Sequence, residues 1–101
     1  EARMFVSVRI PKAGKYFVKA RVRTPTPEDD SFFIRILRGE DVLLEQTEWH
    51  TGVHRDWEWV TLCGKDAKPI GLNLPAGVVV IEISCREDGA MLDCLKVTDS
   101  P

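Results

Sequence analysis

Three tryptophans, a short acidic cluster and two histidines are the residues whose types and spacing could do chemistry. Trp57 and Trp59 stand two residues apart, so on an extended strand both project to one side, with Val60 and Leu62 on the other. Both sides look apolar. Either the strand is covered on both faces or the tryptophan side is open. An open indole is a flat apolar platform with one N–H donor. Patches of sugar C–H groups stack on such a platform while the hydroxyls take polar partners nearby. Trp49, in a polar stretch, is a further exposed candidate.

Glu87, Asp88 and Asp93 lie close in sequence. Two carboxylates can act as a glycosidase acid/base pair, or ligate calcium with backbone oxygens. Arg86-Glu87-Asp88-Gly89 also suits a plain charged turn, because Asp and Gly accept turn geometry. Asp93 precedes Leu95 and Val97 at even spacing, which predicts an inward-facing carboxylate that needs a metal or an arginine. His50 and His54 are four apart in a stretch with no helix to align them, and no third ligand is near. Ser31, Ser84 and the cysteines have no partner motif for nucleophilic catalysis. There is no phosphate loop and no dinucleotide glycine pattern. Cys63, Cys85 and Cys94 match no zinc spacing and allow at most one internal disulfide.

The elements that must position these residues are strands, because the apolar period is two throughout. Met4 to Ile10 alternates and stops at Pro11. Tyr16 to Arg23 sets Tyr16, Val18, Ala20 and Val22 against Phe17, Lys19, Arg21 and Arg23, a buried face and a face that is wet apart from Phe17. Thr24 to Asp30, with two prolines, reads as irregular loop. Ser31 to Leu37 is a third strand, and Val42 to Gln46 a short fourth. Thr47 to Asp56 reads as a long polar connection containing Trp49, His50 and His54. Trp57 to Leu62 and Val78 to Cys85 are strands, the latter rich in β-branched residues. Gly71 to Leu74 leads into the Pro75-Ala76-Gly77 turn, and Met91 to Thr98 closes the chain. Seven or eight short strands with turns between them predict an all-β antiparallel sandwich or jelly roll.

Composition agrees with one domain over residues 1–101. The 101 residues can bury one core, with 44% hydrophobic and 30% charged residues well mixed. The net charge of -2 gives no reason to expect nucleic-acid binding. No apolar run approaches bilayer length. No signal-peptide pattern opens the sequence, so a domain excised from a larger multidomain protein is expected.

The motifs also have a familiar order. Ile10-Pro11-Lys12-Ala13-Gly14-Lys15-Tyr16 is followed by Ala20-Arg21-Val22 and Asp30-Ser31-Phe32-Phe33. Then come Trp57-Glu58-Trp59-Val60, Leu74-Pro75-Ala76-Gly77, Arg86-Glu87-Asp88-Gly89 and Leu92-Asp93. Together they resemble the galactose-binding-like jelly rolls of bacterial carbohydrate-binding modules of the family 6 and family 35 type. The resemblance implies a sugar stacked on Trp57, with Trp59 buried and the Arg86 to Asp88 loop near the same rim. It also implies a structural calcium near Asp93. The customary "Glu-Ala-Glu" first strand is not matched, since Glu1-Ala2 lies too close to the proline turn; half of that calcium site goes with it.

Two functions follow as expectations. One is a non-catalytic carbohydrate-binding module, with Trp57 and Trp49 stacking and His54, Arg86, Glu87 and Asp88 hydrogen-bonding. Its partners would be a polysaccharide or oligosaccharide and a parent enzyme or surface protein, outside the cell or at its surface. The other is a structural or protein-docking sandwich of a large extracellular protein, whose open sheet edge accepts a strand. An enzyme is not expected.

Overall fold

A computed structural model of the chain describes residues 3–85 and 89–101. The period of two becomes eight strands: β1 (Arg3–Ile10), β2 (Gly14–Thr24), β3 (Ser31–Arg38), β4 (Asp41–His50), β5 (His54–Thr61), β6 (Leu72–Leu74), β7 (Gly77–Cys85) and β8 (Met91–Thr98). They form two antiparallel sheets, the sandwich that the alternation predicts. One sheet runs β1-β7-β3-β4. In the other, β2 is central: β5 and β8 flank it, and β6 pairs with its first residues, Gly14 to Tyr16.

The core lies between the sheets. Val18, Ala20 and Val22 from β2 meet Phe32, Ile34 and Ile36 from β3 and Val79, Ile81 and Ile83 from β7, all buried. Each set is spaced by two, so each strand gives one face to the core and the other to its surroundings. Phe17 departs from this pattern, being buried although it shares the pleat of Lys19 and Arg21.

The segment Thr47 to Asp56 is not a long loop. β4 continues through His50 and β5 begins at His54, leaving Thr51, Gly52 and Val53 as the connection. Its polar side chains belong to strand residues facing outward, and Trp49 pairs across from Phe32. Gly52 takes φ 79°, a left-handed conformation that a side chain disfavours. Thr24 to Asp30 is also less irregular than expected: Pro27–Asp29 makes one 3₁₀ turn.

Candidate glycan-binding face

β5 is held to β2 with Arg21 opposite Trp59 and Lys19 opposite Thr61. This register puts both tryptophans on the outward pleat, because Val18, Ala20 and Val22 occupy the inward one. Trp57 is 38% exposed and Trp59 is 44% exposed. The conflict between two apolar sides resolves as Val60 and Leu62 inward and the indoles outward. Trp59 is therefore not the buried partner of Trp57; it is an equally open neighbour. Strand residues two apart lie about 7 Å from each other, so the two rings form one extended platform.

A cation lies over each indole. The Arg21 guanidinium lies over the Trp57 ring, 5.1 Å from its centroid, and the Lys96 ammonium lies over Trp59 at 4.2 Å. Lys96 reaches the ring because β8 pairs with the far edge of β2, with Lys96 opposite Lys19 and Cys94 opposite Arg21. Each cation is attracted by the negative ring face.

The other predicted residues lie elsewhere or have other work. Trp49 is fully buried. It belongs to the buried core, so it cannot stack on a ligand, and among the described residues its Nε1 has no hydrogen-bond partner. His54 Nε2 meets the Thr51 carbonyl oxygen at 2.8 Å and Nδ1 meets Glu58 Oε2 at 2.6 Å. Both ring nitrogens are engaged, so His54 braces the β4–β5 connection instead of presenting a donor to a ligand. Arg86, Glu87 and Asp88 lie outside the described residues.

Asp93 faces outward, not inward. The pairing of β2 with β8 slips between Arg21 and Val22, and this irregularity turns Asp93 to the outer side. There Arg21 Nη1 donates to its Oδ2 at 2.8 Å. The buried-carboxylate argument thus ends on an arginine. Among the described residues no three His, Cys, Asp or Glu side chains gather as a metal site. Among the described residues, a lone carboxylate held by a guanidinium is a poor donor set for calcium, which takes six to eight oxygens.

A second surface depression, of about 560 Å³, lies between the turns at Ala13-Gly14, Arg38–Asp41 and Asn73–Pro75. It holds no aromatic ring and none of the predicted residues. The Trp57–Trp59 face offers the exposed aromatic surface that this depression lacks.

No protein-family model matches the chain, and no curated protein matches it. Among solved structures it is similar to part of a ruminal GH26 endo-β-1,4-mannanase, with TM-score 0.69 and 13% identity over 99% of this chain. It spans 18% of that enzyme's chain. It is also similar to the C-terminal CBM6 of LamC, a marine laminarinase from Zobellia galactanivorans, with TM-score 0.61 and 21% identity over 93% of this chain and 71% of that one. A third is the carbohydrate-binding module CBM6cm-2 of Cellvibrio mixtus lichenase 5A, solved in complex with cellotriose. There the TM-score is 0.55 and the identity 19%, over 94% of this chain and 66% of that one. The chain has the β-sandwich fold of these carbohydrate-binding modules.

Proposed function

We propose that this domain is a non-catalytic carbohydrate-binding module that holds a glycan chain on the outer face of the sheet formed by β5, β2 and β8. The observation that carries the reading is the side-by-side exposure of Trp57 and Trp59 at 38% and 44% on a rigid strand. Successive sugar rings would lie on successive indoles, removing apolar C–H and ring surface from water. The fold shared with modules of glycan-degrading enzymes supports this, as does the cellotriose held by one of them. The acids beside the platform are already engaged: Asp93 by Arg21 and Glu58 by His54. Service outside the cell, attached to a carbohydrate-active enzyme, belongs to the same reading.

Isothermal titration against a panel of glucan, mannan, galactan and uronan oligosaccharides tests it. Trp57→Ala and Trp59→Ala should each cost about 2 kcal/mol, roughly 30-fold in Kd, while Trp49→Phe leaves affinity unchanged. If no glycan binds the folded domain, or if both alanine variants bind as wild type does, the proposal fails.

A further inference from the structure

Cations outnumber acids around the platform, although the whole chain is acidic. On its pleat β2 contributes Lys19, Arg21 and Arg23, and β8 contributes Lys96, which stands opposite Lys19. Asp93 is the acid that reaches this face, and it is taken up by Arg21. Glu58 sits on the opposite pleat against His54. Asp56 is an exposed residue of β5, and among the described residues it makes no ion pair. Among the described residues Lys19, Arg23 and Lys96 have no carboxylate within ion-pair distance; Arg23 Nε donates to the Arg55 carbonyl oxygen at 2.9 Å. The chain's net charge is -2, so this concentration of cations is local and opposed to the average.

From this arrangement we infer that the glycan recognised at Trp57 and Trp59 is an acidic one, carrying carboxylate or sulfate groups along its length. The inference rests on the glycan-binding reading and names the ligand class for the same face. Like charges that face each other, as Lys19 and Lys96 do, repel at a cost. An anionic group bridging them removes that cost and gains two charge-assisted contacts. The exposed parts of the indoles meet the sugar, and Arg21 and Lys96, which lie over those rings, meet its charged substituents. A neutral glycan would leave Lys19, Arg23 and Lys96 without counter-charge. Single-stranded nucleic acid also stacks on aromatics beside cations. A glycan is favoured here because the fold is shared with carbohydrate-binding modules.

The test is titration of the intact domain with four probes: oligogalacturonate, a sulfated galactan oligosaccharide, neutral cello- and manno-oligosaccharides, and single-stranded DNA. One or both acidic glycans should bind at least about 10-fold tighter than the neutral ones, and which of them does separates carboxylate from sulfate. Raising salt from about 0.1 M to about 1 M shortens the screening length from about 10 Å to about 3 Å, and should weaken the acidic complex severalfold. Lys19→Gln with Arg23→Gln should lower acidic-glycan affinity by about 4- to 25-fold, each exposed charge contributing about 2- to 5-fold. Neutral binding, where measurable, should not fall, and thermal melting would confirm that the double variant is folded. Tight neutral binding with no acidic preference and no salt dependence overturns this inference while leaving the glycan-binding reading intact. Binding of no glycan at all overturns both. DNA binding stronger than any glycan reassigns the face to nucleic acid and also overturns it.

Discussion

Trp49, Trp57 and Trp59 show how one residue type meets opposite fates through the pleat alone. The sequence exposes the conflict at Trp57 to Leu62, since both sides of that strand are apolar, but deciding it requires the neighbour. Arg21 opposite Trp59 settles it, because β2 buries its even-numbered residues. Trp49 was unreadable for the converse reason: polar Glu48 and His50 hide an inward residue on an edge strand. Glu82 is a further residue whose setting comes from pairing. Its side chain is 8% exposed on the outer side of β7, where Arg3 Nη1 donates to Oε2 at 3.1 Å and Arg35 Nε to Oε1 at 2.8 Å. The carboxylate joins three strands across one face, since β7 lies between β1 and β3. Both arginines remain partly in water, which limits the strength of each ion pair. Glu82→Ala should destabilise the domain by about 1–3 kcal/mol, because two cations lose their shared anion and bury less of their stems. Urea unfolding measures this; a loss no larger than that of an exposed Glu45→Ala control would contradict it.

Elements were legible where one face is plainly apolar and obscure where strands lie at edges. β2, β3 and β7 alternate cleanly and stand near their expected bounds. β4 and β5 are edge strands with polar outward residues, so their ends looked like one long loop. What joins them tightly is a buried hydroxyl. Thr24 Oγ1, fully buried at the end of β2, donates to the Gly52 carbonyl oxygen at 2.7 Å and accepts from the His54 backbone N–H at 3.2 Å. Thr51 N–H adds a bond to the Asp30 carbonyl oxygen at 2.8 Å. The three-residue connection is thus anchored to β2 on one side and to the segment before β3 on the other. Thr24→Val keeps the shape but strands the His54 N–H and leaves the Gly52 carbonyl with the Thr51 hydroxyl at 3.1 Å as its remaining side-chain donor. It should cost about 1–3 kcal/mol by urea unfolding, with Thr24→Ser recovering much of the loss. If valine proves neutral, the hydroxyl does not hold the connection. Because β5 carries the platform, the valine variant should also bind glycan more weakly than the serine variant.

At the scale of the whole molecule, the fold joins distant parts of the chain: β1 pairs with β7 and β2 with β8. Such pairings close long loops before contacts are gained, so folding should be cooperative and slow, in milliseconds to seconds. Net charge, read over the whole chain, concealed the cationic face, because alternation on β2 gathers Lys19, Arg21 and Arg23 on one side while the acids are spread elsewhere. Cysteine arithmetic left one disulfide open; no disulfide joins Cys63, Cys85 and Cys94 in this structure. They stand apart by role: Cys63 follows β5, Cys85 ends β7, and Cys94 lies on the outer pleat opposite Arg21. Stability then comes from the core and the strand ladders, with no covalent link. A single urea transition with the same midpoint in the presence and absence of reductant is expected. A midpoint that falls on adding reductant would reveal a bond between two of these thiols. The same experiment ranks them chemically. Burial, and then the nearby Asp66 carboxylate, push the Cys63 thiol above its ordinary 9.0. Only the thiolate attacks an alkylating reagent. In the folded domain near pH 8 Cys63 should therefore react more slowly than exposed Cys94, and the difference should narrow as pH rises through the raised value. Equal rates at pH 8, followed by mass spectrometry of the labelled peptides, would show that neither burial nor Asp66 controls this thiol.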